Sequence, residues 1–116
     1  MKIPDPTFDE NGYPTDETLE VIRSWPVTTF NDCEEILLYC QKAWNYEEAF
    51  TRSPRYSHRY RTVQMGLSRR WVVHTYGWSG NESIIDAMMG NWMFWEMCWQ
   101  KSEVGGHYEF RVPKGV

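Results

Sequence analysis

Apolar positions recur at helical spacing early in the chain and switch to alternation later. In "TDETLEVIRSW" (15–25), Thr15 or Asp16 caps, acids fill the first turn, and Leu19, Ile22 and Trp25 share a stripe. Pro26 stops this short helix. In "TTFNDCEEILLYCQKAWNYEEAF" (28–50), Asn31 or Asp32 caps, and Cys33, Ile36, Leu37, Cys40 and Trp44 predict a helix over roughly 31–47. "RSPRYSHR" (52–59) reads as a loop. Val63, Met65 and Leu67 alternate with Thr62, Gln64 and Gly66, and a polar linker, Ser68-Arg69-Arg70, precedes "WVVHTYGW". That pattern predicts a β-hairpin.

"SGNESIIDAMMGN" (79–91) predicts a helix with Ile84, Ile85, Met88 and Met89 as its apolar face, ended by Gly90-Asn91. "WMFWEMCWQ" (92–100) fits either a helix extension or a strand. Gly90-Asn91 before it and "EVGGHYEFRV" after it favour a strand pair turning near Gly105-Gly106. The expected fold class is α+β, a small antiparallel sheet from two β-hairpins with about three helices packed on one face. Residues 1–15, with Pro4, Pro6, Gly12 and Pro14, read as an extended arm, and residues 16–116 as a single compact domain.

A length of 116 residues suits one domain, and 41% apolar content suffices for one core. No run approaches the roughly 20 apolar residues that span a bilayer, and the start of the chain has no secretory h-region. Cys33 and Cys40, seven apart on a helix, lie roughly 10 Å apart, too far to bridge. With Cys98 they read as free thiols of a reducing cytoplasm.

Charge changes the picture. The net charge is −4, yet residues 51–81 carry Arg52, Arg55, Arg59, Arg61, Arg69 and Arg70 and no acid. Interleaving with Tyr and His suits stacking on nucleobases and a bidentate grip on phosphate. The bland alternative is a solvated face, or arginines neutralised by the acidic first helices. At the corner before the third helix, Ser79-Gly80-Asn81-Glu82 matches the S-x-x-E capping box. The same terminus offers free amides to an anion, and Gly80 permits close approach. The candidate ligand-binding set is therefore Arg59, Arg61, Arg69 and Arg70 for phosphate, Ser79, Gly80 and Asn81 for amide contacts, and Trp78, Trp95, His107 and Tyr108 for walls.

Other chemistries have weaker support. His58, His74 and His107 are scattered singly, no catalytic motif is present, and no metal-ligand spacing is recognised. No catalytic residue, metal or cofactor is assigned. A Cys98–His107 pair is conceivable, but Cys98 sits in an expected apolar strand where thiols are inert. Duplex nucleic acid is a poor partner for a negatively charged chain without a basic helix.

"YPTDETLEVIRSWP", "GWSGNESII" and "MFWEMCWQKSEVGGHYEF" resemble a family of small uncharacterised proteins of tailed phages and prophages, over approximately residues 13–112. Its signature positions fall on Trp78, Ser79, Gly80, Asn81 and Glu82, and on Gly105, Gly106, His107 and Tyr108. Relatives often carry basic residues where this chain has Glu103 and Val104, which weakens an anion site near Gly105. The resemblance implies a host bacterial cytoplasm and a counter-defence role, and no catalytic residue. The expected function is sequestration of a small nucleotide-type immune signal without catalysis, with sites between subunits of an oligomer a natural form for such a sponge. The alternative is an anti-CRISPR-like inhibitor of a host defence protein, with Asp32, Glu34, Glu35, Glu47 and Glu48 mimicking nucleic-acid backbone.

Overall fold

The computed structural model describes residues 3–53, 56 and 67–114. Thr15 opens helix α1 (Asp16–Ser24), its hydroxyl accepting the Thr18 amide at 3.3 Å. Helix α2 (Phe30–Ala43) is capped by Thr29, not by Asn31 or Asp32. Thr29 and Asp32 satisfy one another: the Asp32 amide donates to the Thr29 hydroxyl at 3.2 Å, and the Thr29 amide donates to the Asp32 carboxylate at 3.0 Å. Hydrogen bonds from Thr28 and Thr29 hold the Asp32 pKa below its usual value, against the opposing effect of burial.

Helix α2 stops at Ala43, short of the expected 47. The buried Asn81 side chain accepts the Asn45 amide at 2.9 Å and donates to the Asn45 carbonyl at 3.0 Å. Both backbone groups are thereby engaged outside a helical ladder. Tyr46 then turns through φ 67°, and a 3-10 turn (Glu47–Ala49) leads into the sheet.

The sheet contains β1 (Phe50–Arg52), β2 (Ser68–His74), β3 (Trp99–Glu103) and β4 (His107–Pro113), antiparallel throughout in the order β1-β2-β4-β3. The α+β class stands. The hairpin expected over 60–78 is changed in part: residues 57–66 lie outside the described residues, and Ser68-Arg69-Arg70 is strand, not linker. Those three residues pair with Pro113, Val112 and Arg111. β1, which was not anticipated, pairs Phe50 with Val73. The turn at Gly105-Gly106 is where the glycines indicate, with φ of 95° and 81°.

Residues 92–98 are helix, a correction of the expected strand. Helix α3 (Ser79–Gly90) ends on Asn91, which also caps α4 (Trp92–Cys98) by accepting the Phe94 amide at 3.3 Å. The Asn91 amide group donates to the carbonyls of Ile22 and Trp25, both at 3.0 Å, so the junction is bolted to the end of α1. Phe94 and Cys98, four apart, both turn inward. In so apolar a segment a period of two and a period of 3.6 coexist, and the Asn91 cap selects the helix. Cys98 is therefore the last helical residue and not a strand thiol; its neighbour Cys33, followed by burial, raises its pKa far above the ordinary thiol range.

Alternation sorts the sheet. Trp71, Val73, Phe110 and Val112 join Ile22, Ile36, Leu37, Ile84, Ile85, Met88 and Phe94 in the core, each such burial worth about 2 kcal/mol. The opposite face carries Arg70, Val72 and His74 of β2 beside Arg111, Glu109 and His107 of β4. The N-terminal arm is docked: the Thr7 amide donates to the Thr18 hydroxyl at 2.8 Å, Phe8 bridges Pro14, and Ile3 packs on the core. No described helix is long and apolar enough to cross a membrane.

Candidate functional site

Within the corner "HTYGWSGNESII", the start of α3 at Trp78-Ser79-Gly80-Asn81 packs against its own chain. Trp78 is the N-cap residue and Ser79 the first residue of α3, so the Ser79–Glu82 capping box does not form. Instead the Glu82 amide donates to the Trp78 carbonyl at 3.1 Å. The Ser79 hydroxyl lies 3.3 Å from the Tyr13 hydroxyl, and Tyr13 stacks on Trp78 with centroids 4.9 Å apart. The Trp78 ring in turn covers Gly80, where a Cβ would collide with the indole. Gly80 is a seat for Trp78, and Asn81 is the buried clasp on Asn45. The side chains of these residues serve packing.

The arginines divide in the same spirit. Arg59 and Arg61 lie outside the described residues. Arg69 donates to Glu34 at 2.8 Å, and Arg52 donates to the same carboxylate at 2.6 Å. The Trp71 indole N–H completes Glu34 at 3.0 Å, and Arg52 and Arg69 lie over the Trp71 and Tyr56 rings. Glu34 is 7% exposed, a buried acid surrounded by its partners. Arg70 sits on the other sheet face and donates to Glu109 at 2.8 Å. Internal acids thus match Arg52, Arg69 and Arg70.

Trp95 and Tyr108 meet edge to face with centroids 6.4 Å apart, and Trp95 also packs against Trp99 and Phe110. They lie on the helix-covered side, whereas His107 faces the other. Among the described residues of the expected set, Arg70 and His107 converge on one group, the Glu109 carboxylate. A hollow between the arm and helices α1 and α2 is lined by Ile3, Pro4, Val21, Trp25, Asp32 and Glu35. Its two acids have no cation beside them in that lining, which suits it poorly to an anion.

The constellation that the register does assemble is at the β2–β4 end of the sheet. His74 and His107 are direct partners, with Nδ1 atoms 3.3 Å apart. His107 Nε2 donates to the Glu109 carboxylate at 2.7 Å. Lys101 Nζ lies 3.5 Å from Glu109 and 3.4 Å from Glu103. Burial pushes the Glu109 carboxyl upward, but hydrogen bonds from His107 and Arg70 and the charges of Arg70 and Lys101 outweigh it, and its pKa is lowered. Tyr76 stacks along His74 with centroids 6.0 Å apart, and Tyr46 meets Tyr76 edge-on at 5.9 Å.

Both tyrosines have left-handed backbone, φ 67° at Tyr46 and 54° at Tyr76, and no other described non-glycine residue does. Each costs on the order of 1 kcal/mol relative to ordinary backbone. Yet Tyr46 is 53% and Tyr76 63% exposed, so neither is held there by burial of its own ring. Three fastenings hold the loops: Asn81 on Asn45, the Trp44 indole donating to the His74 carbonyl at 3.1 Å, and the Thr75 amide donating to the Gly106 carbonyl at 3.0 Å. The result is a row of rings leading from solvent to a histidine pair backed by carboxylates.

Sequence reasoning missed His74, Tyr46, Tyr76, Glu103 and Glu109. A signal existed for the last two: a Gly-Gly turn pairs Glu103 with His107, and alternation puts Glu109 on the same face. Comparison with family models, curated proteins and solved structures found no match for this chain.

Proposed function

We propose that the protein is a phage-encoded counter-defence protein that binds a small nucleotide-type signal without catalysis, at the row Tyr46–Tyr76–His74–His107. The exposed tyrosines in left-handed backbone carry this reading, because strained backbone retained without burial points to use rather than packing. A base would lie on the Tyr76 ring, and the phosphate would meet the imidazoles and Lys101. The site differs from the expected arginine set, since Arg69 and Arg70 are already matched by Glu34 and Glu109. The resemblance of "GWSGNESII" and "GGHYEF" to phage proteins supports the setting, a host bacterial cytoplasm during infection. Calorimetry against cyclic dinucleotides and ADP-ribose-type compounds tests the reading: one of them binds saturably, and Tyr76→Gly weakens that binding about tenfold or more. No heat with any of them overturns it.

A second reading has its own observation. Met89, Trp92 and Met93, spaced three and one apart across the α3–α4 junction, are exposed, Trp92 by 69%. They suit an inhibitor of a host defence protein that docks through apolar contact. Mimicry of nucleic acid by the acids of α2 is less favoured, because Asp32 is spent on the cap and Glu34 on two arginines. A stoichiometric host nuclease captured by the wild type and lost with Trp92→Ser supports this reading; capture unchanged by the substitution refutes it.

A further inference from the structure

We propose that Glu103, His107 and Glu109 form a site for a divalent transition-metal ion such as Zn²⁺, guarded by Lys101. The site goes beyond the nucleotide reading and does not depend on it. One donor atom from each of the three residues lies within 4.8 Å of the others. The closest pairs bracket metal geometry: His107 Nε2 is 2.7 Å from Glu109 Oε2 and 3.5 Å from Glu103 Oε1. Donors about 2.1 Å from one ion are separated by roughly 3 Å in common coordination geometries, so small side-chain shifts seat the ion. One imidazole and two carboxylates suit a borderline ion better than a hard one that prefers oxygen alone.

Acidic residues at a surface do not make a metal site, but here the supporting groups are in place. His107 Nδ1 faces His74 Nδ1 at 3.3 Å, so the ring nitrogen away from the ion has a fixed partner. The other Glu109 oxygen, Oε1, is held by Arg70 at 2.8 Å. Outer contacts of this kind orient metal ligands and set affinity. The three ligands come from the two strands flanking one glycine turn, a rigid frame rather than a loop.

Lys101 is the remaining clue. Its ammonium lies 3.4 Å from Glu103 Oε1 and 3.5 Å from Glu109 Oε2, the two oxygens that bound the site. An internal cation thus sits where an external one would act, and its half-exposed side chain can swing into water. Metal and Lys101 compete for the same carboxylates, so removing the ammonium raises metal affinity.

The experiment is calorimetric titration of the chelator-treated full chain with Zn²⁺, with Co²⁺ absorption to report an imidazole-containing ligand field. Wild type takes one ion per chain. Glu103→Gln, at an exposed position that does not threaten folding, weakens binding about tenfold or more. Lys101→Met strengthens it severalfold. Absence of one-to-one binding in both wild type and Lys101→Met overturns the proposal. So does affinity indifferent to Glu103→Gln. These titrations contain no nucleotide, so their failure leaves the ligand reading standing, and failure of nucleotide binding leaves the metal site standing.

Discussion

His74 and His107 face each other across β2 and β4 with their Nδ1 atoms 3.3 Å apart, and the far nitrogen of His107 is held by Glu109 at 2.7 Å. Because a carboxylate accepts, His107 carries its proton on Nε2 whenever Glu109 is ionised. In neutral His107 the Nδ1 atom then accepts from His74. Glu109, by holding the Nε2 proton, thereby turns His107 Nδ1 toward His74 as an acceptor and makes His74 Nδ1 the donor.

Tyr76→Gly separates strain from function. Glycine adopts φ near 54° without penalty, so the variant melts at the wild-type temperature or a little above it, a gain of at most about 1 kcal/mol. Nucleotide binding, measured by calorimetry, falls at least tenfold. A variant that is less stable and binds normally would show that the Tyr76 ring is structural.

Glu109→Gln changes the acid limb of stability. Its folded pKa is lowered, so it contributes stability that is fully present above the unfolded value and lost as pH falls through the lower folded value. At neutral pH the substitution costs about 2 kcal/mol, since charged hydrogen bonds from His107 and Arg70 are lost. Urea melts repeated from neutral pH down to pH about 3 show the deficit shrinking as the wild-type carboxylate protonates. A deficit independent of pH contradicts this.

Glu34→Gln leaves Arg69 and Arg52 short of their counter-charge beside a buried Trp71 indole. Breaking a buried pair by removing one member costs about 3 kcal/mol. Chemical denaturation followed by tryptophan fluorescence checks the value, and a loss below about 1 kcal/mol would mean the cluster is solvated like a surface pair.

Gly106→Ala meets two obstacles, a φ of 81° and the Thr75 hydroxyl in the space its Cβ needs. A loss of about 2–3 kcal/mol is expected by thermal melting. Gly105→Ala has no such neighbour and loses less.

Asn81→Ala removes the bonds to both backbone groups of Asn45 and costs about 2 kcal/mol. It also frees the loop that carries Tyr46 and loses the bond to the Thr75 carbonyl beside Tyr76, so nucleotide affinity drops. Unchanged affinity would show that the site does not depend on how Asn81 fastens these loops.

The helices α1, α2 and α3 were legible from their 3.6-residue apolar period, whereas the expected cap is met only at α1: Thr29 caps α2, and Trp78 opens α3 without a side-chain cap. The hairpin turn was legible from Gly105-Gly106, whose positive φ values few other residues tolerate. Residues 92–98 were not, since an almost wholly apolar run satisfies both periods and the arbiter is Asn91 reaching to Ile22, a contact 69 residues away. The corner at Ser79-Gly80-Asn81 also reads two ways along the chain. Only the distant Tyr13 and Asn45 show how its side chains pack, Trp78 on the arm and Asn81 on the end of α2.

What the sequence by itself determined is local: helical apolar periods, turn glycines, the α+β alternation and the segregation of arginine from acid. Each depends on neighbours within a turn or on one strand's pleat. What only the tertiary structure decided is which charges meet, namely Arg69 with Glu34, Arg70 with Glu109, and His74 with His107. Those partners are separated by 33 to 39 positions, and strand register and helix placement set their distances. Coulomb energy and hydrogen bonding depend on those distances, so the functional meaning of the charged residues emerges only once the sheet has closed.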